Sequence, residues 1–523
     1  MKRQWRRIAV SLVAGLGGVG IASAALPETW TDALQRLGVP ESAVTVAVQE
    51  VGAAKPVLLH RADALMNPAS VIKLVTTTAA LDLLGSDYRW KTEVYLDGTL
   101  TDGVLRGNLV LKGYGDPKIT IEQWQAFMQR LRQAGLTQVT GDLIVDRSLF
   151  SLPAHDPSAF DREPLKPYNV GPDALLVSFK AVRFEFAPPA SKKDKTAQVT
   201  IEPPLVGVKV SKLPLLSNKR CDDWLGGLKP KFKDVGKFAE VDFGGSYSGR
   251  CGARDMYVAL LDVPHFVHGM FTHYFAEAGG EFSGAVREGK VAEGAPWLTF
   301  ESFPLSEMVQ DINKRSNNVM AQQTFLTLAS LQKTPPYTYG AARLAVAEWL
   351  KMNGVDMKGL FVENGAGLSR DVRVSAQGLL NLLLYAQQTS WRELFFNSLP
   401  LAGVDGTLKY RFHKSTAYHQ ARLKTGALED VRALAGYVDD LQGRRYAVVI
   451  LVNHANAKRS APAMEAIIED IYQGVLPSQQ AADAVKTTQQ AAQQTAQQTA
   501  QQTTAAPKEV LRQEPYRGKA APG

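Results

Sequence analysis

Alternating apolar and polar positions predict strands at both ends of the folded region. The runs at 43–50 and 57–60 are joined by a short glycine-containing stretch, which is typical of a hairpin. Near the other end, 431–438 and 445–452 follow a run that closes on Lys-Thr-Gly, and the three predict a meander. The amphipathic pattern at 460–473 predicts a helix that covers one face of this sheet. If both ends share one sheet, the residues between them form an insertion.

The middle of the chain has a different pattern. Short predicted strands and turns fill 91–150 around a helical pattern at 121–134, and further strand-like runs fill 174–250. Helical patterns resume at 255–278 and dominate 305–390. The expected fold class is therefore α/β (α+β), with a mostly β insertion inside a domain that mixes a sheet with helices.

The two termini differ from this pattern. Within 1–24, four cations precede an uncharged apolar run at 8–21, and small residues end at Ala24, which predicts a secretory signal peptide cleaved near that residue. The run is shorter than the roughly 20 residues of a membrane span. The Gln/Ala/Thr-rich tail at 477–523 has almost no large apolar side chains, so we expect it to be disordered. An exported protein is expected, with at most peripheral membrane contact.

Composition narrows the class of protein. The 523 residues are 45% hydrophobic and 21% charged, which excludes collagen-like, coiled-coil and wholly disordered chains. The net charge of +8 falls to +4 once the four cations of the leader are removed, because the leader holds no acidic residue. A charge of this size says little about partners and is most simply a solvated surface. No phosphate loop, dinucleotide fingerprint or nucleic-acid motif occurs.

The chain contains two cysteines, Cys221 and Cys251. Export would place them where disulfides persist, so we expect them to pair, and a loop of this size contributes roughly 3 to 4 kcal/mol by the chain-entropy estimate. Two unpaired thiols are the alternative.

A first catalytic candidate lies at the start of a predicted helix. Asn67 and Pro68 form a helix-start signal, and an apolar helical pattern runs from there to Gly85. Ser70 is then in the first turn, with Lys73 on the same face one turn later. Because a serine hydroxyl is a weak nucleophile, it needs such a neighbouring base.

The Ser-x-x-Lys spacing is weak evidence alone, since a second copy at 330–333 runs into two prolines. Two further motifs strengthen the evidence from the Ser-x-x-Lys spacing. A single Ser-x-Asn triplet at 316–318 opens another helical pattern, and a single Lys-Thr-Gly at 424–426 ends a predicted strand. The order of the three motifs is the signature of penicillin-recognising serine acyltransferases.

On these motifs the sequence resembles the low-molecular-mass class C penicillin-binding proteins, the D-alanyl-D-alanine carboxypeptidase and endopeptidase family. Ser70 and Ser316 are 246 residues apart, which matches the two extra domains that the family nests inside its transpeptidase-like domain. Further matches are Gly-Asp-Pro at 115–117, the run from Tyr168 and the run at 365–370. The resemblance covers about 26–476.

The resemblance implies a domain organisation. The expected parts are a discontinuous catalytic domain with a five-stranded antiparallel sheet flanked by helices (25–90 and 295–476), an inserted domain II (91–173 and 251–294) and a nested domain III (174–250).

It also implies the site residues. The catalytic positions correspond here to Ser70, Lys73, Ser316, Asn318 and Lys424, and the substrate-binding positions to Thr425, Gly426, Ala427 and Arg370. Ser70 would attack the carbonyl of the penultimate D-alanine and form an acyl-enzyme that water hydrolyses. Lys73 would be the base, with a pKa lowered by about 3 units, partly through repulsion from Lys424.

The remaining motif residues would bind the substrate and protonate the leaving amine. Ser316 would relay a proton to the leaving amine, and Asn318 would position the substrate amide. Thr425, with the lysine before it, would hold the C-terminal carboxylate. The backbone N–H groups of Ser70 and Ala427 would form the oxyanion hole.

Arg370 would contribute to a pocket for a side chain of the stem peptide. Its acidic partner would be Glu163 or Asp161, although the segment around them lacks the family's usual tryptophans. An ordinary surface salt bridge is an equal alternative for this arginine.

Two other features favour simple interpretations. His265, His268 and His273 lack the H-E-x-x-H spacing and lie among Phe, Met and Tyr, so structural histidines are favoured over a metal site. The lysines at 192–195 indicate a solvated loop, with contact to an anionic wall polymer as the alternative.

The resulting hypothesis is a periplasmic serine DD-peptidase that acts on peptidoglycan stem peptides and cross-links, is acylated by β-lactams and needs no cofactor. A β-lactamase is the nearest alternative, but the closest approach to an E-x-x-L-N segment, at 393–397, has the wrong spacing. A non-catalytic wall-binding scaffold is the second alternative, disfavoured by the complete set of motifs.

Overall fold

The computed structural model describes residues 25–475, except 192, 293 and 333. The predicted signal peptide (1–24) and the predicted disordered tail (477–523) lie outside the described residues. Within the described part, no helix is both long enough and apolar enough to cross a membrane.

In chain order the α-helices are α1 (Glu28–Arg36), α2 (Lys73–Leu84), α3 (Ile121–Gln133), α4 (Trp224–Leu228), α5 (Val263–Glu277), α6 (Leu305–Arg315), α7 (Asn318–Thr327), α8 (Tyr339–Met352), α9 (Ala376–Ala386), α10 (Arg392–Ser398) and α11 (Ala461–Gln473). In chain order the strands are β1 (Val44–Glu50), β2 (Leu58–His60), β3 (Arg89–Thr101), β4 (Val104–Gly113), β5 (Gln138–Val139), β6 (Leu143–Asp146), β7 (Val182–Ala187), β8 (Gln198–Glu202), β9 (Val208–Lys212), β10 (Leu215–Ser217), β11 (Pro230–Lys233), β12 (Ala239–Phe243), β13 (Ser246–Ser248), β14 (Arg254–Val258), β15 (Glu281–Phe282), β16 (Val286–Glu288), β17 (Leu298–Pro304), β18 (Ala421–Ala427), β19 (Val431–Asp439) and β20 (Arg445–Asn453).

A five-stranded sheet joins the two ends of the described chain. Its order is β18-β19-β20-β1-β2, and every neighbouring pair is antiparallel. The predicted hairpin and meander are therefore confirmed, as is their union in one sheet. Most residues of β19 and β20 are buried because helices cover both faces, which explains their nearly continuous apolar runs.

Helices on the two faces have different roles. α11 packs against β19 on one face, and Trp30 of α1 anchors it by an indole N–H bond of 2.6 Å to Asp470. On the other face, α2 and α6 to α9 share one hydrophobic core with the sheet, including Trp349 and Tyr437. α2 runs through the middle of this core, which fixes the segment just before it at the edge of β18.

The insertion has its own hydrophobic core. A seven-stranded sheet contains β15-β5-β4-β3-β17, with β6 paired to both β4 and β16. α3 and α5 supply the large apolar side chains of this core, such as Trp124 and Phe271. Three smaller sheets follow between 182 and 258. The expected fold class is confirmed, whereas the exact domain boundaries stay predictions.

Cys221 and Cys251 form a disulfide with a Cα–Cα separation of 5.1 Å. The predicted pairing is therefore confirmed. The bridge closes a segment with a sequence separation of 30 residues.

Two local predictions were wrong. The helical pattern at 255–278 begins with strand β14, where Met256 and Val258 point inward with the period of two of a strand. The strand-like pattern that was expected from 174 onward becomes a strand only at β7, because a 3-10 turn at Ser178–Lys180 has positive φ angles. The predicted helix between Pro68 and Gly85 is confirmed; its first turn, Ala69–Ile72, is 3-10, and the α-helical part begins at Lys73.

Candidate active site

Ser70 lies in the 3-10 turn that precedes α2. The side chain of Asn67 shapes this turn, since its oxygen accepts a bond of 2.8 Å from the Ala69 N–H and its amide donates to the Ser369 carbonyl at 2.9 Å. Ala69 has a φ of 47°, a left-handed conformation that is costly for a residue with a Cβ. Strain next to a nucleophile is typical of functional sites.

Two glycines let neighbouring segments approach the turn closely. A Cβ on Gly426 would lie 2.4 Å from the Pro68 carbonyl oxygen, and a Cβ on Gly367 would lie 2.1 Å from that of Ala69. Both positions therefore need glycine for steric reasons. Gly426 brings β18 against Ser70, and Ala427 is the exposed last residue of that strand.

The amine of Lys73 is fully buried and has three hydrogen-bond partners. Its nitrogen lies 2.8 Å from Ser70 Oγ, 2.8 Å from Asn318 Oδ1 and 2.5 Å from the carbonyl oxygen of Ala366. These atoms come from three separate segments of the chain. The amine is thus placed to exchange a proton with the Ser70 hydroxyl.

The Ser-x-Asn motif forms the junction between α6 and α7. Ser316 ends α6 in a left-handed conformation with a φ of 58°, and Asn317 caps α7 by accepting a bond from the Met320 N–H. Asn318 is the first residue of α7. Its amide donates to the Tyr168 carbonyl at 3.3 Å, so the junction contacts the inserted region.

The second lysine connects the remaining motifs. Lys424 is fully buried in β18 and donates to Ser316 Oγ at 2.8 Å and to the Thr425 carbonyl at 3.0 Å. Lys424 therefore connects the Lys-Thr-Gly motif directly to the serine of the Ser-x-Asn motif. Thr425 donates from its hydroxyl to that of Thr407 at 2.8 Å.

Both amines have lowered pKa values. Burial lowers the pKa of Lys73 well below its usual value, and the nearby charge of Lys424 lowers it further. Burial lowers the pKa of Lys424 to about 7. Near neutral pH, the site therefore contains an amine that is able to act as a base.

One turn at this site was missed by the sequence analysis. Asp405 forms an ion pair with Lys314, and a Cβ on Gly406 would lie 2.4 Å from the Lys314 carbonyl oxygen. Thr407 follows and reaches Thr425. The turn at 405–407 thus joins the end of α6 to β18. The Asp-Gly pair signals a turn, but its contacts with two distant motifs are not readable from the sequence.

A carbonyl group was missed as well. Ala366 was noted only as part of the run at 365–370, yet its carbonyl oxygen is a direct partner of Lys73. The Asn364 side chain holds this loop by accepting bonds from the N–H groups of Ala366 and Gly367 at 3.0 and 3.3 Å.

Among the described residues, Arg370 forms an ion pair with neither of its two acidic candidates. Its ion pair is with Asp430, at 3.9 Å, and more than half of each side chain is exposed. Asp161 is instead bonded to Tyr168 and Asn169. Phe160 provides the contact with the predicted segment, because the guanidinium of Arg370 lies over its ring. The role of Arg370 in substrate binding stays a prediction.

The three histidines of α5 have separate partners. His265 contacts Asp262, the capping residue of the helix, and His268 contacts the Gly284 carbonyl. The ring of His273 packs against Tyr274. Within the described ranges, no group of three or more His, Cys, Asp or Glu residues could hold a metal ion.

Comparisons with known proteins agree with this geometry. The family model of the D-Ala-D-Ala carboxypeptidase 3 (S13) family matches residues 27–475. The chain is 24% identical over 409 residues to the D-alanyl-D-alanine carboxypeptidase DacB of Haemophilus influenzae, covering 75% of this chain and 82% of that protein. It is 28% identical over 421 residues to the D-alanyl-D-alanine carboxypeptidase of an Actinomadura species, covering 77% and 76%.

A solved structure shares the fold. The crystal structure of penicillin binding protein 4 (dacB) from Haemophilus influenzae superposes with a TM-score of 0.70 at 21% identity, covering 85% of this chain and 99% of that one. Because the family model spans most of the sequence, the chain belongs to the D-Ala-D-Ala carboxypeptidase 3 (S13) family and is a serine peptidase.

Proposed function

We propose that the protein hydrolyses the D-Ala-D-Ala bond of peptidoglycan stem peptides through an acyl-enzyme on Ser70, and that it also cleaves peptide cross-links. The observation that carries the proposal is the hydrogen bond of 2.8 Å between Lys73 and Ser70, made by a buried amine whose pKa is lowered. A lowered pKa increases the fraction of the amine that is neutral near pH 7, and the neutral amine can accept the proton of the serine hydroxyl.

The reaction has two stages. Lys73 takes the Ser70 proton while Oγ bonds to the carbonyl carbon of the penultimate residue, and the C–N bond then breaks. The leaving D-alanine amine receives a proton from the Lys73, Ser316 and Lys424 group. A water molecule next attacks the ester, which releases the shortened peptide and restores the Ser70 hydroxyl. Backbone N–H groups of Ser70 and Ala427 stabilise the oxyanion in both stages.

Substrate binding involves the third motif. Lys424 and Thr425 bind the C-terminal carboxylate, and Asn318 contacts the substrate amide.

β-Lactams acylate Ser70 because their strained amide resembles the same dipeptide. The resulting adduct is hydrolysed slowly and therefore persists. Export through a cleaved leader places the enzyme at its polymeric substrate.

The test is intact mass after incubation with a labelled penicillin, together with D-alanine release from a pentapeptide. A persistent adduct that is absent from Ser70→Ala, with loss of D-alanine release, supports the proposal. Rapid turnover of the penicillin would indicate a β-lactamase, and the absence of any adduct would indicate a non-catalytic scaffold. Digestion of cross-linked muropeptide dimers tests the endopeptidase activity separately.

A further inference from the structure

The loop that leads into β18 carries exposed rings and lysines that take no part in the chemistry proposed above. This loop, residues 403–420, follows α10 and includes the turn at 405–407. Tyr410 is 81% exposed and Tyr418 is 39% exposed. The other exposed rings and lysines of the loop are Lys409, His413, Lys414 and His419. Because tyrosine has an apolar ring and a polar tip, exposed tyrosines of this kind are enriched at binding surfaces.

The 403–420 loop adjoins the place assigned to the leaving residue of the substrate. Its Thr407 is hydrogen-bonded to Thr425 at 2.8 Å, and the proposed reaction assigns the carboxylate of the leaving residue to Thr425. A pentapeptide ends at that residue and loses a single D-alanine. In a cross-link, the leaving amine belongs to a second peptide strand, which continues on this side of the scissile bond. The loop is therefore placed to distinguish the two kinds of substrate.

The backbone of the loop holds a group of three rings at the surface. A Cβ on Gly403 would lie 2.0 Å from the ring of Tyr418, so this ring packs directly on the glycine. The ring centroids of His419 and His413 lie 4.0 and 5.7 Å from that of Tyr418. His419 and Phe412 have φ angles of 65° and 66°, a left-handed conformation that is costly for residues with a Cβ. Strain of this kind is typical of functional sites.

Contacts with α11 hold the base of the loop. Arg411 forms an ion pair with Glu465 at 2.6 Å. Glu469 accepts hydrogen bonds from the hydroxyls of Ser415 and Thr416 at 3.0 and 2.9 Å. Both acidic side chains of α11 are therefore engaged with the loop itself. A loop that is ordered in this way loses little conformational entropy when it binds a ligand.

Two lysines of the loop are available to a ligand. Lys409 and Lys414 are exposed and, within the described part of the chain, neither has an ion-pair partner within 4.0 Å. The ammonium group of Lys409 lies over the ring of Tyr410, 5.4 Å from its centroid. Asp405 is the only acidic residue in the sequence of the loop, and it is paired with Lys314. The loop therefore presents positive charge that is suited to the carboxylates of a peptide strand.

We propose that the 403–420 loop binds the strand that is released from a cross-linked stem peptide. Tyr410 and Tyr418 pack against the apolar groups of that strand, and Lys409 and Lys414 contact its carboxylates. The inference rests on the proposed function, since it extends the substrate of the same site. It makes the loop a specificity site for the cleavage of cross-links, with no part in the release of D-alanine from a pentapeptide.

Calorimetric titration of Ser70→Ala, which lacks the nucleophile and so prevents turnover, tests the loop directly. One ligand is a pentapeptide, and the other is a sugar-free cross-linked dimer, whose additional strand lies on the leaving side. We expect the dimer to bind more tightly than the pentapeptide. Adding Lys409→Ala/Tyr410→Ala should weaken binding of the dimer about fivefold and leave binding of the pentapeptide unchanged.

The matched control adds Lys55→Ala/Tyr257→Ala to Ser70→Ala. Lys55 lies between β1 and β2, at the opposite edge of the five-stranded sheet from β18. Tyr257 lies on β14 in the inserted region and is 52% exposed. This variant should bind both ligands as Ser70→Ala does. Circular dichroism and the melting temperature check the fold of all the variants.

Several results would overturn the inference. They are binding of the dimer that is no tighter than that of the pentapeptide, unchanged binding of the dimer in the loop variant, equal weakening of both ligands, or equal weakening in the control. If tighter binding is seen only for a dimer that carries its disaccharides, the loop binds glycan, and the assignment to the peptide strand is wrong. D-Alanine release from the pentapeptide by the wild type is measured separately. Its failure contradicts the proposed function, whereas the titration still reports on the loop.

Discussion

The side-chain oxygen of Asn318 lies 2.8 Å from the amine nitrogen of Lys73, and the orientation of the Asn318 amide is fixed. Its nitrogen must face the carbonyl oxygen of Tyr168, which accepts only, so its oxygen faces the lysine. A neutral Lys73 amine has two N–H donors and one lone pair. It can thus donate to Asn318 and Ala366 while accepting the Ser70 proton, which satisfies all three contacts.

Asn318→Asp is expected to shift the pH profile upward. A carboxylate at this position favours the charged form of Lys73 and raises its pKa, and each unit lowers the neutral fraction about tenfold below the new pKa. We expect kcat/KM at pH 7 to fall about 10-fold to 100-fold and to recover partly as the pH rises. The measurement is kcat/KM for a pentapeptide between pH 6 and 10.

Asn317→Asp is the matched control because aspartate also caps a helix well. It places the same charge one residue away, without the contact with Lys73. An unchanged pH profile in Asn318→Asp, or an equal shift in both variants, would show that the contact does not tune the base.

The elements predicted well are those whose signals are local. β1, β19 and β20 have apolar runs bounded by turns, and the motifs at Ser70 and Lys424 have short, fixed spacings. Strand β14 was mistaken for helix because, in the sequence, its inward-facing apolar residues and those of α5 form one continuous apolar-rich segment. A window that spans a strand and a helix mixes two periods.

The contacts of the site depend on tertiary structure and were only partly predictable. The resemblance placed Lys73 and Lys424 in one site, but no pattern shows that the carbonyl of Ala366 binds Lys73. Backbone groups carry no sequence signal of their own. Arg370 was given an acidic partner from the insertion, whereas its ion pair is with Asp430, which directly precedes β19.

Lys424 is expected to make folding stability depend on pH. Its pKa is about 7 in the folded protein and about 10.4 in an unfolded chain, so between these values the unfolded state binds more protons. Stability therefore rises with pH across this window, by about 1.4 kcal/mol per unit. The wild type should gain about 2 kcal/mol between pH 7.5 and 9.0 relative to Lys424→Met, measured by chemical denaturation.

The control is Lys55→Met, which removes an exposed lysine and should keep the wild-type dependence on pH. Lys73 is present in all three proteins, so its contribution largely cancels in the comparison. Parallel pH dependences for the wild type and Lys424→Met would contradict a lowered pKa at this lysine.

Gly426→Ala should damage activity more than stability. The new Cβ would lie 2.4 Å from the Pro68 carbonyl oxygen and 3.2 Å from the Ala69 Cβ, so β18 must move away from the Ser70 turn. Overpacking of this kind costs about 1 to 3 kcal/mol. The Ala427 N–H, which is the proposed oxyanion donor on β18, would move with the strand. Loss of such a donor costs about 100-fold to 1,000-fold in kcat, which steady-state kinetics would detect.

Gly294→Ala controls for the loss of a glycine, since its Cβ would meet no atom within 4 Å. It should keep both the activity and the melting temperature. Near-normal kcat in Gly426→Ala would mean that the close approach of β18 to the turn is not required for catalysis.

Thr407→Val is expected to weaken substrate binding with little change in kcat. The Thr425 and Thr407 hydroxyls are hydrogen-bonded at 2.8 Å. When Thr425 turns its one proton to a bound carboxylate, the Thr407 hydroxyl is placed to donate to Thr425 Oγ1 in return, which holds Thr425 in its binding orientation. Valine keeps the shape of the side chain and removes the hydrogen bond. Loss of one hydrogen bond costs about 1 kcal/mol, so KM should rise about fivefold.

Thr407→Ser should restore the wild-type KM. A pentapeptide amide, which lacks the carboxylate, should be hydrolysed with the same KM by all three proteins. If kcat falls equally for the acid and the amide, then Thr407 supports the turn at 405–407 rather than the orientation of Thr425.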